Sequence, residues 1–396
     1  MTERIYYGDA YVREFDATLL EIVNVAGRRA AILDRTAFYP SSGGQPFDTG
    51  TLGAARVVEV IDRDDGVVVH VVEGDMSPGS VRGSIDWTRR FDHMQQHTGQ
   101  HVLSAAFDRV AKARTESFHL GTASATIDLA IEVSASQIAA AERAANDVVW
   151  ENRPVRVRFV DAAEAATLPL RKDPVRTGLL RIVEIEGFDV SACGGTHVSW
   201  TGAIGNIAVD SSERVRRGTR VQFRCGVRAM QGYRALRDGI AAAGRQLSTS
   251  AADVPAAIER LQSDIKDARR RISDLQERLA QHEAAALVGR ASVSGRSSIV
   301  LAALDGWDAN GLKTIASTIA QQPWHAAILA AGPAPSVVVV ARAADVAIDA
   351  SAMVKALTAR FGGKGGGRPE LAQGGGLSAS ADEVIAAARG HLETQN

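Results

Sequence analysis

The chain has 396 residues, a formal net charge of −1 and a hydrophobic content of 45%. It is long enough to bury a sizeable core in two or three domains, and no run of about 18 apolar residues suggests a membrane span. Met1–Tyr6 has no signal-peptide apolar region, and two cysteines, Cys193 and Cys225, exclude a disulfide framework and fit a reducing, cytoplasmic location.

Residues 1–90 alternate apolar and polar side chains between turn signals, as in Thr18–Val23, Ala30–Leu33 and Gly66–Val72, with Gly50, Gly53, Gly74 and Pro78-Gly79 as punctuation. This predicts a strand-rich, β-barrel-like N-terminal lobe. Residues 91–228 mix helix and strand. The spacing of Val102, Leu103, Ala106, Phe107 and Val110 predicts a helix from His97 to Ala113. A strand near 123–129, a helix over 135–149 and strands near 155–160, 182–185 and 206–209 complete an α+β lobe.

Residues 229–291 read as a helical, coiled-coil-like connector. Ile258, Leu261, Ile265, Ala268, Ile272, Leu275 and Leu279 alternate steps of three and four, which is a heptad seam. A hairpin with the preceding helix (about 230–246), a homodimer through this connector or docking on its own domain would each bury the stripe. Residues 292–396 alternate strands near 299–303, 326–331 and 337–341 with helices near 312–321, 351–361 and 382–389, the rhythm of a small α/β domain. The fold class is therefore α+β.

The last domain holds the run Gly362–Gly376, whose glycines expose backbone N–H groups beside Lys364 and Arg368. Such a run receives phosphate oxygens well, but no GKS or GKT opens a helix, so it is not a P-loop. Taken alone it predicts a flexible loop. The near-neutral net charge does not advertise nucleic acid, so any RNA contact must come from local basic patches such as this one, and should weaken as salt rises.

Two short pairs carry the chemistry: His97-Thr98-Gly99-Gln100-His101 and Cys193-Gly194-Gly195-Thr196-His197. Histidines four apart on a helix point to one side. The second pair offers a thiolate and a third imidazole from a glycine-rich turn. Sulfur with nitrogen suits zinc, and one Cys with three His makes a tetrahedral set, so one Zn2+ per chain is expected on His97, His101, Cys193 and His197. The plain alternative is a helix histidine and a turn cysteine that share no ion. His93, one helical step earlier, reads as a solvent-facing histidine, a substitute ligand or a group supporting the metal ligands. Cys225 reads as buried. The arginines 214, 216, 217, 220 and 224 read as a solvated hairpin or the lining of an RNA path.

The sequence around both pairs resembles the two zinc motifs of the alanyl-tRNA editing family, the AlaX proteins and the editing domain of alanyl-tRNA synthetase. Thr36-Ala37-Phe38-Tyr39-Pro40-Ser41-Ser42-Gly43-Gly44-Gln45-Pro46 looks like that family's glycine-rich loop, and Ser117-Phe118-His119-Leu120-Gly121 like its strand-turn segment. The glycine run is similar to that of the C-terminal domain of alanyl-tRNA synthetase, without the Asp-His-His motif of related phosphoesterases, which implies tRNA holding by Lys364 and Arg368 and no catalysis there. The resemblance implies a free-standing, long-form trans-editing hydrolase. The chain starts almost directly with the editing region, leaving no room upstream for an activating domain. Its expected substrate is tRNA(Ala) mischarged with serine, and with glycine, cleaved at the aminoacyl ester.

Under that reading residues 91–228 are the zinc-binding editing domain and 292–396 a tRNA-binding domain. Thr36 is the expected partner for the serine hydroxyl. Gly43 and Gly44 let backbone N–H groups approach the substrate or form a tight turn. Gln45 bonds the ester or a water, and His119 is a polar contact in the pocket. Ser41 and Ser42 stand where the family loop often has an acid, so no carboxylate base is assigned. The rivals are a non-catalytic RNA-binding protein with a structural zinc, an editing hydrolase for another aminoacyl-tRNA, and a zinc peptidase. The last is disfavoured because Thr98 stands where His-Glu-x-x-His enzymes carry their base.

Overall fold

The computed structural model describes residues 1–171, 178–294 and 296–394. They form an α+β protein of two compact units, Met1–Ala242 and Ala243–Asn396. Among the described residues no helix is long and apolar enough to cross a membrane.

In the first unit six strands close into a barrel in the order Glu14–Val25, Arg28–Leu33, Val68–Glu73, Ala55–Asp62, Gly50–Leu52 and Gly79–Ile85. Alternation explains the closure. Phe15, Ala17 and Leu19 point inward while Glu14, Asp16 and Thr18 face out, and the inward set meets Leu33, Phe38, Leu52 and Val57 in one core. Between the third and fourth strands in space, Val57 and Glu59 flank a register shift, the kind of irregularity that bends a barrel wall.

The barrel chain leads into a 25-residue helix, Trp87–Ala111. It begins ten residues before the apolar spacing predicted, because Asp86 caps it by accepting from the Arg89 amide. The segment from His93 to Phe107 is buried throughout, polar residues included. Val102, Leu103, Ala106 and Phe107 pack with Ile127, Val148, Val221 and Phe223. A helix buried all round has no polar face to mark its start. Around it lie an antiparallel sheet (Ile207–Val215, Gly218–Cys225, Ala125–Leu129, Thr115–Leu120), the helix Ala135–Trp150, and a three-stranded sheet (Val155–Val160, Leu180–Ile185, Asp189–Ala192).

The second unit carries a six-stranded sheet in the order Ser292–Ser294, Ser297–Ala303, His325–Ala331, Ser336–Arg342, Leu371–Leu377 and Lys364–Arg368. One face packs Leu329 and Val339 on the helix Ala309–Ala320. The other packs Ile328, Val338 and Val340 on the helices Ala350–Phe361 and Ala381–Glu393. The glycine run is not a loop but an edge hairpin, with Gly366 opposite Gln373. Its glycines are needed for close approach: a Cβ on Gly365 would strike the Val354 side chain of the helix beneath.

The connector helix runs Val254–Val288. Ala280, Ala284 and Leu287 at its end join the core of the second unit. The heptad seam before them is exposed.

Candidate metal centre

The helix register brings His97 and His101 to one side, and the turn after the strand Asp189–Ala192 brings Cys193 and His197 against them. One ligand atom from each of the four lies within 4.8 Å of the others. Cys193 Sγ is 3.4 Å from His97 Nε2 and 3.4 Å from His197 Nε2. Tetrahedral zinc, with Zn–N of about 2.0–2.1 Å and Zn–S of about 2.3 Å, separates such donors by about 3.6 Å.

Every imidazole is turned so that Nε2 is free for an ion. His97 Nδ1 donates to Gln45 Oε1 at 2.8 Å, since an amide oxygen only accepts. His101 Nδ1 donates to the Asp189 carboxylate at 3.1 Å. His197 Nδ1 meets Thr98 Oγ1 at 3.2 Å. Asp189 is itself held by Arg171 Nε at 2.8 Å and by the Ser191 hydroxyl at 2.9 Å. These outer bonds fix ring orientation and raise ligand basicity, as at metal sites generally.

The electrostatics match. Burial alone would raise the Cys193 thiol, but the imidazoles of His97 and His197 and bonds from His101 and His197 hold it well below its ordinary value. Burial lowers His197 to about 3. Burial also disfavours charge on His101, yet Asp189 and Cys193 outweigh it and bring that ring to about 9. A buried thiolate beside a neutral His197 ring fits a divalent cation such as zinc, and His101 must release its Nε2 proton for the ion to bind there.

The turn has a support that sequence reasoning missed. Arg181, 8% exposed, donates to the carbonyls of Cys193 at 2.7 Å and Gly195 at 2.9 Å. No motif marks it; it reads as an ordinary strand arginine. Gly195 is forced, because a Cβ there would run into the His97 ring. Likewise a Cβ on Gly99 would collide with Cys225 Sγ, which is fully buried, so Cys225 is packing for the ligand helix.

The glycine-rich loop arrives at the same place. Gly43 and Gly44, with φ of 56° and 84°, make a two-residue turn bridging Ser42 and Gln45, the backbone signature of a type I′ hairpin turn. Gln45 Nε2 donates to Thr196 Oγ1 at 2.8 Å, so one side chain ties the loop to both metal motifs. Thr36 is fully buried, with its hydroxyl 2.8 Å from His70 Nε2. His119 lies exposed on its strand, while the ring of its neighbour Phe118 stands 5.4 Å from that of His97. His93 is buried rather than solvent-facing, lowered to about 3 by burial and by Arg89, Arg228 and Arg90. The arginine hairpin is largely neutralised: Arg214, Arg220 and Arg224 pair with Glu132, Asp128 and Asp210. Lys364 and Arg368 are exposed on the edge strand of the second unit.

Comparison with known proteins agrees with this geometry. Residues 180–220 match the threonyl and alanyl tRNA synthetase second additional domain, and residues 296–394 match the DHHA1 domain. Alanine–tRNA ligases are similar along nearly the whole chain. That of Natronomonas pharaonis is 35% identical over 98% of this chain and 43% of its own length. That of Pyrococcus abyssi is 32% identical over 94% and 42%, and that of Methanothrix thermoacetophila 34% identical over 99% and 45%. The chain thus spans less than half the length of these relatives. It belongs to the AlaX-like editing proteins related to alanyl-tRNA synthetase.

Proposed function

We propose that the protein is a trans-editing hydrolase that deacylates seryl-tRNA(Ala), and glycyl-tRNA(Ala), at a single zinc site in the cytoplasm. The observation that carries the reading is the convergence of His97, His101, Cys193 and His197 with the Gly43-Gly44-Gln45 loop in a chain related to alanine–tRNA ligases. When bound, the ion supplies positive charge for polarising the ester or anchoring the terminal ribose or amino group.

The chain's own residues favour serine over alanine. His70 Nδ1 faces the Ala31 carbonyl at 3.2 Å and must donate, so Nε2 accepts from the Thr36 hydroxyl. Thr36 Oγ1 also accepts from the Phe38 amide at 3.1 Å, which leaves one lone pair. That lone pair is the acceptor offered to a serine hydroxyl; alanine, lacking it, forgoes about 1–3 kcal/mol. The open side of Gly43 admits the ester, since a Cβ there meets nothing within 4 Å. Gln45 holds His97 in place, and His119 contributes a polar group at the exposed rim. Lys364 and Arg368 on the glycine hairpin hold the body of the tRNA.

Four protein ligands ordinarily close a zinc site, and this supports a second reading, a non-catalytic RNA-binding protein with a structural ion. Deacylation of seryl-, glycyl- and alanyl-tRNA by the wild type and by Cys193→Ala separates the two. The hydrolase releases serine and glycine, spares alanine, and loses release in the variant. A zinc-loaded wild type that releases nothing removes the hydrolase reading.

A further inference from the structure

The N-terminal arm brings two tyrosines to the candidate metal centre. The strand Glu3–Arg4 pairs in parallel with Arg35–Thr36, with Arg4 opposite Thr36, and a single helical turn, Ile5–Gly8, follows it. The two rings then part. Tyr6 is buried, with its ring 5.3 Å from that of Tyr39. Tyr7 is half-buried, and a Cβ on Gly194, the residue after Cys193, would meet its hydroxyl at 3.7 Å. The Tyr7 carbonyl accepts from Arg181 Nε at 3.1 Å, and the same guanidinium holds the carbonyls of Cys193 and Gly195. Tyr7 therefore stands beside the ligand turn without being one of the four donors.

Its ring opens on a cleft of about 1180 Å³, lined also by the loop residues Ser41 and Ser42 and by Phe159. Phe159 lies on Val155–Val160, the edge strand of its three-stranded sheet. Alternation buries Val160 and leaves Phe159 46% exposed. The Tyr7 and Phe159 rings stand 6.5 Å apart, edge to face. Exposed aromatics beside a site for RNA offer a face on which a base can stack.

The charges select which part of an RNA fits. Glu3, Asp9, Asp62 and Asp64 line the cleft against Arg4 and Arg63. Both cations are engaged: Arg4 grips the Asp62 carboxylate at 2.6 and 2.7 Å, and Arg63 pairs with Asp65. A lining with surplus carboxylates repels phosphate and accepts from amino and hydroxyl groups. The 3′-terminal nucleoside suits it: no phosphate follows it, its ribose carries a hydroxyl, and adenine, the last base of a tRNA, carries an exocyclic amine. Its ribose also bears the ester, so its base must lie within one sugar of the reacting bond.

We infer that this cleft seats the terminal nucleoside of the aminoacylated RNA, its base stacked on Phe159 and against Tyr7. The inference rests on the hydrolase reading for its ligand.

The test uses the full zinc-loaded chain and a hairpin RNA ending in a non-hydrolysable seryl amide, made once with its terminal base and once with an abasic terminal sugar. Fluorescence anisotropy measures binding without turnover. The wild type is expected to bind the intact end about tenfold more tightly, the scale of one stacked base. Phe159→Leu is expected to lose that preference, to bind the abasic RNA as the wild type does, and to keep its zinc. Tyr7→Phe, which retains the ring, is expected to keep the preference. A wild type indifferent to the base overturns the inference, and so does a Phe159→Leu variant that still prefers the intact end tenfold, even with both affinities lowered. Serine release from mischarged tRNA, followed in parallel, reports on the hydrolase reading alone. A base-dependent binder that releases no serine keeps the cleft and loses the reaction.

Discussion

His97 Nδ1 donates to Gln45 Oε1 at 2.8 Å, and the same oxygen accepts the Thr196 amide at 3.1 Å. One amide group therefore sets the tautomer of one candidate metal ligand and pins the turn that carries two more. Gln45→Ala is expected to lower zinc affinity by about 10–100-fold, the usual cost of losing such a partner. Competition with a chromogenic chelator measures this. Unchanged affinity would show that His97 is oriented by its ring packing on Phe118 alone.

Gly195 offers a steric counterpart. Gly195→Ala places a methyl group against the His97 ring, so the ring or the turn must move and the four donors separate. The variant is expected to bind less than one zinc per chain and to lose about 1–3 kcal/mol of stability, the ordinary cost of overpacking. Metal analysis with denaturant unfolding in chelator separates the two effects. Full zinc occupancy with wild-type stability contradicts the packing argument. In the same way Gly99→Ala is destabilised against Cys225, and pairing it with Cys225→Ala recovers part of the loss.

How much of this was legible in the sequence follows from the kind of force that places each part. Each pair of candidate ligands was legible because helical or turn spacing brings its own two members close, whereas the meeting of the two pairs was expected from donor chemistry and the family resemblance; the barrel strands were legible because alternation has a period of two. Asp86, a plain capping signal, was readable but lay outside the apolar window that defined the helix. The glycine run misled because its strands have almost no side chains to alternate; ladder pairing and the Val354 contact shape them. Arg181, Asp189 and Gln45 hold the centre through contacts 12 to 151 residues apart, and no local pattern encodes those. His119 and Phe118 show the limit of a motif: it marked the strand, but not which of two neighbours faces His97.

Thr36 supplies the test of discrimination. Thr36→Val keeps shape and removes the acceptor for a serine hydroxyl, while leaving the buried His70 Nε2 without its donor. Release of serine is expected to fall about tenfold or more, in line with 1–3 kcal/mol for one buried hydrogen bond. Release of glycine, which has no hydroxyl, is expected to fall much less. Single-turnover rates on both substrates decide it; equal losses would assign Thr36 to folding rather than to recognition.

His70 also makes stability depend on pH. Burial lowers it from 6.5 to about 4, against a weaker opposing bond to the Ala31 carbonyl. Between those values the unfolded chain binds a proton that the folded chain refuses, so stability rises with pH across the window. The contribution is complete above 6.5, on the order of 3 kcal/mol, and is lost as pH falls toward 4. His93 and His197 are lowered too, so the comparison must isolate one ring. His70→Gln retains an acceptor for the Thr36 hydroxyl and does not titrate. The difference in unfolding free energy between wild type and His70→Gln should shrink or reverse as pH drops from 6.5 to 4, measured by urea unfolding with zinc held saturating at the upper end. A difference constant across that range would mean that His70 ionises as freely in the folded protein as in water, which its fully buried position between Thr36 and Ala31 argues against.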